Sequence, residues 1–186
     1  MKPQLWVFSG PNGAGKSTLV DRYVATRLPV VNPDNIARTL SPDLGQAERI
    51  MRAGRAAVAA RQRMLDGRES FAIETTLTGK SELDLMRTAA AAGYKVNLVY
   101  LGLGDVGFSI GRVRSRVASG GHDVPLPDLL RRFSRSLANL PIAMQIAERV
   151  LLFDNSGPRR QLIFSREKGR VKFRSSSIPH WAVDIL

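Results

Sequence analysis

Nine residues near the N-terminus have the types and the spacing of a phosphate-binding loop. Glycines let backbone amides wrap around an anion, and the start of a following helix adds partial positive charge. The Lys16 ammonium can then reach the β- and γ-phosphates, while the Ser17 hydroxyl can bind Mg²⁺. The segment therefore predicts binding of a nucleoside triphosphate, with ATP and Mg²⁺ as the expected cofactors. It fits Gly-x-x-x-x-Gly-Lys-Ser/Thr completely and reads Gly10, Pro11, Asn12, Gly13, Ala14, Gly15, Lys16, Ser17, Thr18.

A second polar segment, Asn32-Pro33-Asp34-Asn35-Ile36-Ala37-Arg38, follows the next short apolar run. The carboxyl ends of parallel strands form the ligand crevice of an open α/β sheet. Asp34 is therefore expected beside the γ-phosphate, where it can accept a proton from an attacking hydroxyl. Arg38 is expected to bind the acceptor. The alternative is that Asp34 caps a helix that begins near Asn35.

A lone carboxylate, Glu74, ends a third apolar run and is followed by two threonines. Burying this charge inside a sheet would be costly, so a position at the crevice near Mg²⁺ or an acceptor hydroxyl is expected. Thr75 and Thr76 add hydroxyl donors at the same edge. The alternative is that a threonine caps the helix that follows Gly79-Lys80.

Six arginines flank a loop of mostly small residues at 119–125, and both flanks have helical character. Arginine suits planar contact with phosphate, so a closing lid over about 105–140 could bring arginines to the γ-phosphate. Within this loop, His122 is expected to contact the acceptor. The alternative is a solvated basic face. The arginines are Arg112, Arg114, Arg116, Arg131, Arg132 and Arg135.

These segments must be positioned by alternating strands and helices, the pattern of a mostly parallel α/β sheet with helices on both faces. A single domain is expected over 1–186, closed by a hairpin at about 160–175 around Lys168-Gly169. Strands are predicted at 4–9, 29–32, 70–75, 94–103, 149–154, 161–165 and 171–174, and helices at 17–27, 44–68, 81–92, 105–119 and 127–148.

Composition excludes several classes of protein. The 186 residues are 44% hydrophobic and 24% charged, as in a globular domain rather than a disordered chain. There is no cysteine and there are only two histidines, which argues against disulfides and zinc sites. No apolar run has the roughly 20 residues of a membrane span and no secretory leader is visible, so a cytoplasmic protein without membrane contact is expected.

The net charge of +12 is concentrated in the second half of the chain, where residues 104–174 hold 14 of the 28 basic residues but 6 of the 16 acidic ones. Such a surface favours an anionic partner, either a small anionic acceptor or a nucleic acid. The aromatic content of 6% shows no stacking platform for nucleic acid. A polynucleotide kinase and a non-catalytic ATP-binding module therefore remain as alternatives to a small-molecule kinase.

Taken in order, the motifs resemble the zeta toxin family of P-loop kinases. The resemblance spans most of residues 4–156 and includes Gly-Gly-His-Asp-Val-Pro at 120–125, Asn139-Leu140 and the strand end at 153–156. It implies a kinase-type P-loop fold and ATP-Mg²⁺-dependent phosphorylation of a hydroxyl. The best-known acceptor of that family is UDP-N-acetylglucosamine, at the 3′-hydroxyl of the amino sugar.

The same resemblance assigns roles to individual residues. It makes Asp34 the base, Lys16 the phosphate-loop lysine and Glu74 the acidic residue at the strand end. The lid arginines correspond to Arg116 and to either Arg131 or Arg132; we assign Arg132. Larger family members carry more C-terminal structure, so the acceptor pocket can differ here. An antitoxin protein is a partner to consider, but neither it nor toxicity follows from these residues.

Overall fold

Apolar strands and amphipathic helices alternate along the chain, as the sequence predicts. The computed structural model describes residues 2–41, 43–121 and 123–186. The strands in these ranges are β1 (Gln4–Ser9), β2 (Val30–Val31), β3 (Phe71–Thr75), β4 (Lys95–Gly102), β5 (Arg149–Asp154), β6 (Gln161–Glu167) and β7 (Arg170–Arg174). The helices are α1 (Lys16–Tyr23), α2 (Pro33–Thr39), α3 (Gln46–Asp66), α4 (Lys80–Ala91), α5 (Val106–Ala118) and α6 (Leu126–Ile146), followed by a 3₁₀ turn at His180–Ala182.

The described strands form one sheet in the order β2-β3-β1-β4-β5-β6-β7. The first five are parallel, while β6 and β7 add an antiparallel hairpin at one edge. Parallel strands covered by helices on both faces need apolar residues at successive positions. This explains the short continuous apolar runs of the sequence, and the predicted mostly parallel α/β fold is confirmed.

Hydrophobic clusters lie on both faces of the sheet, as the alternation of side chains along β1 illustrates. Val7 belongs to the larger cluster with Ile73 and Leu98, and its neighbour Phe8 belongs to the other cluster with Val99. The parallel register aligns the ends of β1 and β3, where Ser9 pairs with Thr75. Residues that leave these two strands therefore emerge side by side, which creates the site described below.

The two helices α5 and α6 pack on each other through a small apolar cluster of their own. Val113, Val124 and Leu129 are buried, and Ile110 and Val117 pack against them. None of the helices in the described ranges combines the length and the apolar character that a membrane span requires.

Candidate active site

The phosphate loop joins β1 to α1 and depends on glycine for its shape. Gly10 has φ of 138°, and a Cβ atom there would lie 2.2 Å from the carbonyl oxygen of Leu101. Gly15, which precedes α1, has φ of 86°. Residues with side chains rarely adopt these conformations. The loop therefore wraps closely around the end of the sheet and leads into the helix N-terminus.

Lys16 lies inside this loop rather than in solvent, with 7% of its surface exposed. Its Nζ donates hydrogen bonds of 2.7 Å to the carbonyl oxygen of Gly10 and 2.8 Å to that of Pro11. Burial, opposed in part by the negative charge of Glu74, lowers the pKa of Lys16 to about 8. The ammonium is thus held by neutral carbonyls, and a bound phosphate would supply the counter-charge that stabilises its protonated form.

Glu74 joins the phosphate loop to the segment after β2. One carboxylate oxygen accepts a hydrogen bond of 2.7 Å from Ser17 Oγ, and the other accepts one of 2.8 Å from Asn32 Nδ2. The end of β3 thus brings a carboxylate and a hydroxyl together beside the loop. These are hard oxygen donors of the kind that Mg²⁺ takes together with substrate phosphates, so the residues fit that ion.

Asn32, and not Asp34, caps helix α2. The Asn32 side chain accepts a hydrogen bond of 2.9 Å from the backbone N–H of Asp34, and α2 begins at Pro33. Placing the cap at Asp34, with a helix starting near Asn35, was therefore wrong. Asp34 has an exposed side chain in the first turn of α2 and lines the same cavity as Lys16 and Glu74. Its carboxylate is thereby accessible from the cavity.

The turn after β3 is held in an unusual backbone conformation. Leu77 has φ of 58° although it is fully buried. Its N–H donates to Thr75 Oγ1 at 3.0 Å, and its carbonyl oxygen accepts from Asn139 Nδ2 at 2.9 Å. Local strain of this kind persists where surrounding contacts fix it. The turn directs Thr76 and Thr78 into the cavity, where their hydroxyl oxygens lie 3.1 Å apart.

Residues of α5 and of the β5 end hold the phosphate loop from behind. Ser109 Oγ donates to the carbonyl oxygen of Asn12 at 2.6 Å. The Arg112 guanidinium donates to the carbonyl oxygens of Gly13 at 3.3 Å and Asn155 at 2.6 Å. Asn155 Nδ2 in turn donates to the carbonyl oxygen of Ala14 at 2.9 Å. Arg112 therefore fixes the loop and does not merely solvate an outer face.

A cavity of about 600 Å³ collects these groups, and its lining is strongly basic. Three carboxylates face seven cationic side chains, which makes the cavity suited to anionic ligands. The acids are Asp34, Glu74 and Glu82, and the cations are Lys16, Arg61, Arg112, Arg116, Arg131, Arg132 and Arg135.

Asp128 positions two of the arginines on α6. Its carboxylate accepts a hydrogen bond of 2.6 Å from Arg131 and lies 3.8 Å from Arg132. The Arg131 hydrogen bond, with the nearby charge of both arginines, lowers the pKa of the Asp128 carboxyl. Arg116 reaches the same cavity from α5. Two separate helices therefore direct arginines toward the phosphate loop.

Most of the predicted site residues meet in this cavity. Gly10, Pro11 and Ala14 form the buried back of the phosphate loop, while Asn12, Gly13, Gly15, Lys16, Ser17 and Thr18 line the cavity together with Asp34, Glu74, Thr75, Thr76, Arg116 and Arg132. Arg38 is exposed and does not line it. His122 lies outside the described residues.

Sequence reasoning missed three lining residues, Arg61, Thr78 and Glu82. Arg61 shares the four-residue spacing of Ala53 and Ala57 on α3, but only packing shows that it is buried. The sequence does not separate it from the other four arginines of that helix.

Comparison with known proteins identifies the fold and a family. The AAA domain family matches residues 5–135. An uncharacterized protein of Haemophilus influenzae is 33% identical over 129 residues, which cover 66% of this chain and 91% of that protein.

Two solved structures have similar folds. The AvrRxo1-ORF1:-ORF2 complex with ATP gives a TM-score of 0.75 at 17% identity over 92% of this chain, which spans 60% of the length of that one. The PezAT chromosomal toxin-antitoxin system of Streptococcus pneumoniae gives a TM-score of 0.63 at 15% identity, covering 88% of this chain and 71% of that one. At such low identities the likeness concerns the fold alone, and it confirms the predicted P-loop fold with a mostly parallel sheet flanked by helices.

Proposed function

We propose a kinase activity for this chain, which belongs to the AAA domain family. The activity is ATP-Mg²⁺-dependent transfer of the γ-phosphoryl group to a hydroxyl of a small molecule. The observation that carries the proposal is the cavity itself, where the phosphate-loop Lys16, the accessible carboxylate of Asp34 and arginines from two helices lie together. Phosphoryl transfer depends mainly on positioning and charge stabilisation, and these groups supply both.

Each group has a distinct role in this proposal. The loop amides and Lys16 bind the phosphates, and Ser17 and Glu74 would hold Mg²⁺, which neutralises phosphate charge when bound. Asp34 accepts the proton of the acceptor hydroxyl. Arg116 and Arg132 stabilise charge on the transferred group as the lid of α5 and α6 closes.

For the acceptor, we propose a nucleotide sugar such as UDP-N-acetylglucosamine. The basic lining supports an anionic acceptor, and the order of motifs in the sequence supports this class. Thr75 and Thr76, which line the cavity, would contact the acceptor. Arg38, exposed outside the cavity, has no such support from geometry.

We extend the proposal to the setting of the activity. A single domain would carry it over 1–186, with the lid at about 105–140, in the cytoplasm where ATP is available. The likeness to PezAT, a toxin-antitoxin system, makes an antitoxin protein a partner to test by co-purification.

The test is ATP consumption over a panel of nucleotide sugars, with Lys16→Ala as the matched variant. The wild-type protein should consume ATP only when one of these acceptors is present. Lys16→Ala should abolish consumption while keeping the circular dichroism spectrum of the folded protein. Near-normal turnover by this variant would contradict the proposal.

A further inference from the structure

Helix α3 carries a charge on the face that it buries. Its buried residues are Ala53, Ala57, Arg61 and Leu65, each four positions after the last. Three of these side chains are apolar and suit a buried stripe. The fourth, Arg61, is 8% exposed and lines the cavity that also contains Lys16. A cation thus occupies a position where the helix pattern calls for an apolar residue.

One nitrogen of this cation lacks a partner within the described part of the chain. Arg61 Nε is buried and has no hydrogen-bond partner among the described residues. Glu82, in the first turn of α4, is the acid whose negative charge favours protonated Arg61. No ion pair between the two side chains is found in the described ranges. Burial lowers the pKa of the Arg61 guanidinium, and the charge of Glu82 only partly opposes this effect. A buried charge that no ion pair compensates is costly, so a further anionic partner is expected.

The surroundings of Arg61 are suited to an acceptor rather than to ATP. Arg61, Glu82 and Thr78 come from α3, α4 and the turn after β3, and none of these elements belongs to the phosphate loop. A guanidinium binds a carboxylate or a phosphate through two parallel N–H donors. The Glu82 carboxylate and the Thr78 hydroxyl can accept or donate hydrogen bonds to hydroxyl groups of the same molecule.

We infer that Arg61 binds an oxyanion carried by the acceptor, a carboxylate or a phosphate, while Glu82 and Thr78 bind its hydroxyl groups. The acceptor class is thereby an anionic, polyhydroxylated small molecule, held at Arg61 so that one hydroxyl faces Asp34. A neutral sugar lacks the group that Arg61 requires. This inference rests on the proposed kinase function, because it assigns the acceptor half of the same cavity.

The first test separates acceptor binding from ATP binding by steady-state kinetics. Arg61→Gln should raise the KM for the acceptor by roughly 10- to 100-fold, as expected for a lost hydrogen bond to a charged group, and leave the KM for ATP unchanged. Arg61→Lys should recover part of the loss. Arg63→Gln, an exposed arginine on the same helix, is the control and should change neither constant.

Thermal stability distinguishes a binding role from a structural one. Since Arg61 is buried without a partner on Nε, Arg61→Gln should leave the Tm unchanged or raise it. A lower Tm with an unchanged acceptor KM would show that Arg61 only supports α3 through Glu82, and would overturn the inference. A raised KM for ATP would instead place Arg61 at the nucleotide and would also overturn the inference.

The second test does not depend on turnover. The phosphate loop of the full chain is filled with a non-hydrolysable ATP analogue, and the Arg61 Nε–H signal is followed by NMR during titration with inorganic phosphate or with acetate. A saturable shift is expected. The anion that binds with the lower Kd indicates whether the acceptor carries a phosphate or a carboxylate. No shift with either anion overturns the inference. Failure of the proposed function is a separate result, because it appears as absent analogue binding and absent ATP consumption.

Discussion

At the scale of single residues, the buried Lys16 is the clearest link between structure and ligand. Its ammonium is held by two loop carbonyls, and its pKa is lowered to about 8 because burial disfavours its charge. A triphosphate would add the opposite charge and raise this pKa again. Binding and protonation are therefore coupled.

This coupling predicts that ATP affinity falls as the pH rises above 8. Free Lys16 loses its proton there, whereas the ATP complex retains it, so binding must take up a proton. The Kd for ATP should rise by up to about tenfold per pH unit between the free and the bound pKa. Calorimetry in buffers of different ionisation enthalpy should show proton uptake at pH 9 and little at pH 7. Lys16→Arg, which does not titrate in this range, should show none at either pH.

Asp34 gives a second residue-level prediction. Its side chain is exposed in the cavity, and the cap of α2 is supplied by Asn32 instead. Asp34→Asn should therefore cut turnover by about 10²–10⁴-fold, the usual contribution of a general base, and leave ATP affinity and the Tm nearly unchanged. Asp21→Asn, an exposed acid on α1, is the control. If Asp34→Asn weakens ATP binding but turns over normally at saturating ATP, Asp34 is not the general base.

At the level of elements, one face of α5 has two functions. Ser109 and Arg112 hold the phosphate loop, and Arg112 and Arg116 line the cavity. On another part of the same helix, Arg114 lines an apolar groove between α5 and α6. The pair of helices thus combines a fixed attachment with arginines that line the cavity.

Removing the cavity arginines should affect the reaction more than ATP binding. Arg116→Ala and Arg132→Ala should each lower turnover by about 10³–10⁵-fold with a small change in ATP affinity, because such arginines act on transition-state charge. Arg114→Ala is the control on the same helix. Limited proteolysis at 119–125 should slow when ATP and acceptor are both present. If these substitutions leave turnover unchanged and the ligands do not slow proteolysis, α5 and α6 form only a basic surface and not a lid.

Particular elements show how far the sequence alone determines this architecture. The strands at 4–9 and 149–154 were predicted with their observed bounds, because parallel strands buried on both faces leave uninterrupted apolar runs. The phosphate loop was also predicted correctly, because the spacing of its residues is set by the anion around which the loop folds. Predicted helix 17–27 ends at Tyr23 instead, where the backbone N–H of Val24 closes the last turn on Val20.

The remaining parts of the site depend on tertiary contacts that have no local pattern. The left-handed Leu77 is held by Asn139, which is 62 positions away in the chain. Arg61 resembles four other arginines on α3 until packing shows that it is the buried one. Both residues shape the part of the cavity formed by α3 and the turn after β3, which the sequence therefore defined less well than the phosphate loop.

At the scale of the whole molecule, the C-terminal segment connects the sheet to the start of the lid. Trp181 packs on the Tyr100 ring at 5.7 Å between centroids, and a Cβ atom on Gly102 would lie 2.1 Å from its indole. Its Nε1 donates to Asp154 at 2.9 Å, and Asp154 also accepts from Ser156 Oγ at 2.7 Å. Ser156 in turn accepts from the N–H of Gly104, which lies just before α5.

Trp181 should consequently be a major contributor to global stability. Trp181→Ala should lower the free energy of unfolding by about 3–5 kcal/mol, through lost transfer energy and a cavity. Trp181→Phe keeps an aromatic ring but loses the hydrogen bond to a carboxylate, so a smaller loss of about 1.5–3 kcal/mol is expected. Chemical denaturation measures both, with the exposed Val183→Ala as the control. Equal stability of all three variants would contradict the packing described here.

We propose that this cavity transfers a phosphoryl group from ATP to a hydroxyl. The decisive measurement follows ATP labelled on its γ-phosphate in the presence of UDP-N-acetylglucosamine and other anionic, hydroxylated acceptors. The wild-type protein should move the label onto one acceptor as a phosphate ester, and Asp34→Asn should form that product at least about 10²-fold more slowly. Release of label only as inorganic phosphate with every acceptor, or equal product formation by Asp34→Asn, would contradict this activity.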